Sequence, residues 1–105
     1  MAVQVTLYLY ESDKWQGKPL HLAILRYLRS ENAFAACAIH TVGGFLGRQS
    51  VTTSHLVDVG GHLPMLILFV DTEEHVTRLL PQLKEMAGHR LMVRENVVLE
   101  QGNLD

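Results

Sequence analysis

Leu63-Pro64-Met65-Leu66-Ile67-Leu68-Phe69-Val70-Asp71-Thr72-Glu73-Glu74 holds an abrupt change of pattern. From Leu63 to Asp71 the chain is apolar on both faces and of strand length, and it is too short to cross a membrane. Thr72 can then cap a helix opened by Glu73 and Glu74, acids that suit the positive end of the helix dipole. Val76, Leu79, Leu80, Leu83 and Met86 or Ala87 recur at helical spacing, so a helix is expected over 73–86. Pro81 falls inside it and should kink it or cost one hydrogen bond, and Gly88 supplies the stop. A strand followed by a capped helix is half of a β-α-β unit.

A Val- and Leu-rich strand over 90–100 completes that unit, and the polar tail 101–105 is expected to fray. Toward the N-terminus, Val3, Val5, Leu7 and Leu9 alternate with polar residues and Tyr8, which predicts a strand over 3–10. Pro19 stands where a first helical residue tolerates proline, and Leu20, Ala23, Ile24, Tyr27 and Leu28 predict a helix over 19–31, with Asn32 as its stop. Ala36 to Val42 reads as a further strand. Two β-α-β units with right-handed crossovers give an α+β, ferredoxin-like sandwich in a single domain spanning 1–105: a four-stranded antiparallel sheet with two helices on one face. The strands over 36–42 and 63–71 are apolar on both faces, so the face opposite the helices needs a cover. Self-association is the simplest one.

Between the two units runs a Gly-punctuated segment, 41–62, long for a chain of 105 residues. Such a connection suits an arm that faces a ligand or a partner, with its flexible part over about 43–62. Gly43-Gly44 and Gly60-Gly61 sit near its ends, and Arg48 and Asp58 are the only fixed charges between Glu31 and Asp71. The formal net charge of −2, with acids and bases interleaved, provides no basic stripe for nucleic acid or an anionic membrane. The single cysteine, Cys37, excludes an intramolecular disulfide framework and a CxxC motif; its apolar surroundings predict a buried, inert thiol. With no basic-then-apolar leader, the expected location is the cytoplasm.

No catalytic set is expected. Ser50, Ser54, His55 and Asp58 hold the letters of a triad, but no nucleophile-elbow sequence surrounds either serine. The six histidines form no HxH, HExxH or HxxxH pair; His55 and His62, both on the arm, are the two most able to share a metal ion, with His40 as a further ligand. Anion binding has more support. Gly43-Gly44-Phe45-Leu46-Gly47-Arg48 sets unencumbered backbone N–H groups beside an arginine, and Gly88-His89-Arg90, with Arg94 beyond, forms a second glycine-basic cluster. Neither is a Walker loop or a dinucleotide fingerprint. Lys18, at a helix N-terminus, is a third candidate. Trp15, in a polar turn, is expected to pack down on the core.

These residues resemble a family. Tyr8-Leu9 before a polar turn, Gly17-Lys18-Pro19-Leu20, the Gly44-Phe45 step, Leu63-Pro64 through Val70-Asp71, Glu73-Glu74 and a final valine-rich strand are together similar to the PII-like signalling proteins filed as an uncharacterised domain family, over about residues 3–100. The resemblance implies a homotrimer with an effector arm. An adenine nucleotide or small anion would bind as an effector rather than a required cofactor, at subunit boundaries between the loop base at Gly43 and Gly44 and the connection at Gly88, His89 and Arg90, with Arg48 of the arm as a further nucleotide-binding candidate. Phe45, Arg48 and His55 would face a target protein, by analogy a membrane transporter, and the protein would regulate rather than catalyse. The chain departs from the pattern at His40-Thr41, where an Arg-Gly pair would lead into the arm, and at Leu46, where a glycine would follow the Gly-Phe step. A metal-binding trimer similar to the CutA-type proteins, using His55 and His62, is the alternative.

Overall fold

The computed structural model describes residues 1–53 and 63–104; Ser54, His55, Asp58, Gly60, Gly61 and His62, named above, lie outside the described residues. The alternating valines and leucines form β1, Ala2–Tyr10, and Val3, Val5, Leu7 and Leu9 are fully buried. The polar turn after it hides a small hairpin, β2 (Lys14–Trp15) paired with β3 (Lys18–Pro19). Its tip, Gln16 and Gly17, has φ of 50° and 78°. Two successive positive φ values characterise the tight turn whose twist matches flanking strands. Trp15 packs against the core as expected.

Helix α1, Leu20–Ser30, follows at once, starting one residue later than anticipated, with Pro19 as its N-cap at ψ of 126°. Leu20, Ile24 and Leu28 form its buried stripe. The chain leaves α1 at Asn32, whose φ of 60° is a left-handed value that asparagine tolerates better than most residues. Next come β4 (Ala35–His40), the short strands β5 (Gly43–Gly44) and β6 (Thr52–Thr53), β7 (Pro64–Thr72), helix α2 (Glu73–Ala87) and β8 (Met92–Val97). Thr72 caps α2 by accepting a hydrogen bond from the His75 N–H at 3.1 Å. The helix continues through Pro81, which occupies an exposed position, so the lost N–H falls where water can reach the freed carbonyl.

The main sheet has the order β4-β7-β1-β8 with antiparallel neighbours. This is the ferredoxin-like arrangement read from the sequence. Inward residues of β1 join Ile67 and Phe69 of β7 and the buried stripes of both helices in one core. Burying a side chain of this kind contributes about 1.5–3 kcal/mol, so the sheet-to-helix layer provides most of the favourable term.

The register also defines the opposite face. Residues directly across an antiparallel ladder share a face. Val70 lies across from Ala35 and Gln4, Leu68 from Cys37 and Thr6, and Leu66 from Ile39 and Tyr8; β8 adds Val93, across from Thr6. No helix among the described residues covers this surface. Ile39 and Val93 are 42% and 43% exposed, and Leu66, Leu68 and Val70 are half-buried. Cys37 departs from expectation: it is exposed rather than buried, because it sits on the edge strand with its side chain on the face away from the helices.

Candidate functional site

The end of β1 places Tyr10 and the turn residue Asp13 beside the connection from α2 to β8. Arg90 follows the α2 stop, where Gly88 has φ of 62°, and its own N–H returns to the Ala87 carbonyl. From there its guanidinium reaches Asp13 with both arms of the fork, Nε to Oδ2 and Nη2 to Oδ1, each at 2.7 Å. The pair is half-buried, with side chains 26% and 16% exposed. Hydrogen bonding to Asp13 raises the Arg90 pKa further, against an opposing effect of burial, so the guanidinium stays charged. Its carbon also lies 4.9 Å from the centre of the Tyr10 ring, a cation–π contact.

Tyr10 is the link to the arm. Its hydroxyl accepts the Leu46 N–H at 3.1 Å, and its backbone N–H donates to Asp13 Oδ2 at 3.1 Å. Leu46 opens a turn closed by the Gln49 N–H on the Leu46 carbonyl, with Gly47 at φ of 58°. The result is a cleft of about 330 Å³ lined by Leu46, Gly47, Arg48, Gln49, His89, Arg90 and Leu91. The two glycine-basic segments singled out in the sequence, 44 residues apart between Gly44 and Gly88, therefore meet within one protomer.

The predicted site residues divide on this geometry. Arg48, His89 and Arg90 line the cleft, whereas Gly43, Gly44 and Gly88 do not. Gly43 is needed for a different close approach: a Cβ there would stand 2.9 Å from the Thr52 carbonyl oxygen in the β5–β6 ladder. Gly44 has φ of 151°, and a Cβ there would stand 3.3 Å from the Pro64 ring. Arg94 pairs at 3.9 Å with Glu73 and lies off the cleft. Phe45 is 57% exposed on the arm, and Arg48 is exposed beside it. Of the metal candidates, His55 and His62 lie outside the described residues, and His40 is exposed, 3.6 Å from Glu11. Among the described residues, no group of three His, Cys, Asp or Glu side chains converges on one point.

Asp13 and Tyr10 were missed as site residues. Asp13 reads as an ordinary turn former, and nothing local announces a partner 77 positions away. A second polar centre was missed for the same reason. The Asp71 carboxylate, at the end of β7, accepts the Phe34 N–H at 3.0 Å, the Thr72 N–H at 2.7 Å and contacts His75 Nδ1 at 2.7 Å.

Comparison with solved structures agrees with the sheet order. The chain matches CPII from Thiomonas intermedia, solved bound to ADP and bicarbonate, with a TM-score of 0.64 and 16% identity over 95% of this chain and 89% of that one. It matches the divalent cation tolerance protein Cut A1 of Thermus thermophilus with a TM-score of 0.63 and 15% identity, covering 98% and 88% of the two chains. At these identities the likeness is one of fold. In sequence, the chain is 31% identical over 80 residues to a UPF0166 protein of Methanocaldococcus jannaschii, covering 76% of this chain and 73% of that protein. It is 20% identical over 78 residues to a UPF0166 protein of Aquifex aeolicus, covering 74% of each. The sequence pattern of one family runs through residues 2–99, nearly the whole described core and the cleft with it, and the chain belongs to that family, DUF190, described as "Uncharacterized ACR".

Proposed function

We propose that this protein is a non-enzymatic PII-like regulator that binds an adenine nucleotide at the cleft between the arm base and the α2–β8 connection and presents the arm to a target protein. The observation that carries the proposal is the convergence of Arg48, His89 and Arg90 on one open cleft beside a turn of the arm. Two arginines and a histidine favour an anion, and a backbone turn at Gly47 allows close approach. The fold neighbour CPII was solved with ADP, which makes ADP the first nucleotide to try on this chain. A ligand can redirect the arm only through unequal affinity for its two states, and the arm base forms part of the cleft wall, so such a difference is built into its position.

The assembly proposed is a homotrimer packed through the uncovered face of the sheet. Its support is that Ile39, Leu66, Leu68, Val70 and Val93, all partly or well exposed, lie on one face of the sheet. A membrane transporter is one class of target for the arm. No helix among the described residues is long and apolar enough to cross a membrane. The metal-binding reading has the Cut A1 fold likeness behind it and depends on His55 and His62.

A thermal-shift panel on tag-free protein separates these readings. ADP or ATP at about one hundred times its dissociation constant should add roughly 2.7 kcal/mol to stability. Stabilisation by zinc or copper alone, lost in His55→Ala and His62→Ala, would replace the nucleotide reading with the metal one. Arg90→Ala is expected to abolish nucleotide binding in the same assay while light scattering still reports a trimer; undiminished binding would remove Arg90 from the site.

A further inference from the structure

Arg90 is not an empty anion hook. Both oxygens of Asp13 already occupy its Nε and Nη2 at 2.7 Å, the bidentate geometry that a guanidinium also offers to a phosphate. We propose that Asp13 is a resident competitor for Arg90: an anionic ligand in the cleft takes Arg90 by displacing the Asp13 carboxylate, and the displacement loosens the hold of Tyr10 on the arm. The ligand class named here, a nucleotide with at least two phosphates, rests on the nucleotide reading above.

Three observations carry the exchange. The Arg90–Asp13 pair is only half-buried and Arg90 lines the open cleft, so a ligand can reach it from solvent. Asp13 brings a negative charge against the guanidinium that an incoming phosphate would need, and like charges in a shared site disfavour one another. Finally, Asp13 Oδ2 also accepts the Tyr10 N–H, the guanidinium sits over the Tyr10 ring, and the Tyr10 hydroxyl holds the Leu46 N–H. Arg90 cannot change partner without altering the environment of Tyr10, whose side chain ties β1 to the arm.

The alternative is a permanent clasp, with ligand contacting only Arg48, His89 and the remaining guanidinium nitrogen. The two differ in the sign of one result. Under exchange, Asp13→Asn, which keeps an oxygen for the Tyr10 N–H, removes the competing charge, and ADP and ATP should bind at least about tenfold tighter by calorimetry at fixed salt. Under a permanent clasp the same variant, folded by circular dichroism, binds equally or more weakly, and the exchange is refuted. Should Asp13→Asn fail to fold, Asp13→Ser reads the same change. Binding of ADP and ATP to neither protein overturns the nucleotide reading and the exchange together, whereas equal binding to both overturns the exchange alone. The link to the arm has its own readout: ADP at saturation should change the rate of trypsin cleavage after Arg48 in the wild type, and Tyr10→Phe should abolish that response. An undiminished response in Tyr10→Phe rules out the coupling through Tyr10.

Discussion

Asp71→Ala is expected to cost about 3 kcal/mol or more of stability, measured as the shift in urea midpoint at matched protomer concentration. Asp71 is 3% exposed. Its carboxylate is the acceptor for two backbone donors, Phe34 N–H and Thr72 N–H, and the partner of His75 Nδ1. Alanine would remove all three interactions while leaving the partly buried donors in place, and a donor shut off from water without an acceptor costs about 1–3 kcal/mol. The loss is also topological. Phe34 leads into β4 and Thr72 caps α2, so one side chain joins the entry of an edge strand to the start of a helix. Asp71→Asn should fall between wild type and alanine, because one of its oxygens becomes an NH2 group facing a donor. A loss under about 1 kcal/mol for Asp71→Ala would mean that water replaces the carboxylate, and that the buried network is not a structural joint.

Leu68→Glu is expected to convert the proposed trimer to monomers without unfolding the protomer. Leu68 lies across from Cys37 on one side and Thr6 on the other, at the middle of the uncovered sheet face. It is only half-buried in the single chain, so a glutamate there can stay hydrated while the protomer is alone. At a packed interface the same carboxylate would be desolvated without a partner, a cost of several kcal/mol at every contact between copies. Light scattering reads the outcome directly. A control, Thr77→Glu on the exposed surface of α2, should leave the assembly size unchanged. If Leu68→Glu remains a trimer, the copies meet through some other surface, and the apolar face must be accounted for differently.

Much of the fold was legible because its signals are local. The period of two in Val3 to Leu9, the capped start at Thr72 and the helical stripes on either side of Pro81 each depend on residues a few positions apart. The hairpin at Gln16 and Gly17 escaped notice because its strands are two residues each and carry no periodicity. Proline is favoured at a first helical position, yet Pro19 stands one residue before α1, a difference that composition alone does not resolve. For Cys37, hydrophobic neighbours predicted burial, yet neighbours along a strand alternate between faces, and its own face is the open one. The candidate site was legible only in part. Glycine beside a basic residue marked Arg48, His89 and Arg90, but it also drew attention to Gly43 and Gly44, where a Cβ would instead crowd Thr52 and Pro64.

What the sequence by itself determined is the order of elements, and with it the sheet, since two β-α-β halves with apolar strands and amphipathic helices have one economical way to bury both helical stripes. It also located a long arm and two basic clusters. Only the tertiary structure decided that those clusters share one cleft in one protomer, that Arg90 is already held by Asp13, and that Asp71 joins β4 to α2. Each of these is a contact between side chains or backbone groups far apart along the chain. Periodicity and propensity describe neighbours in sequence; an ion pair or a buried acceptor is set by which distant segments the packed core brings within hydrogen-bonding distance.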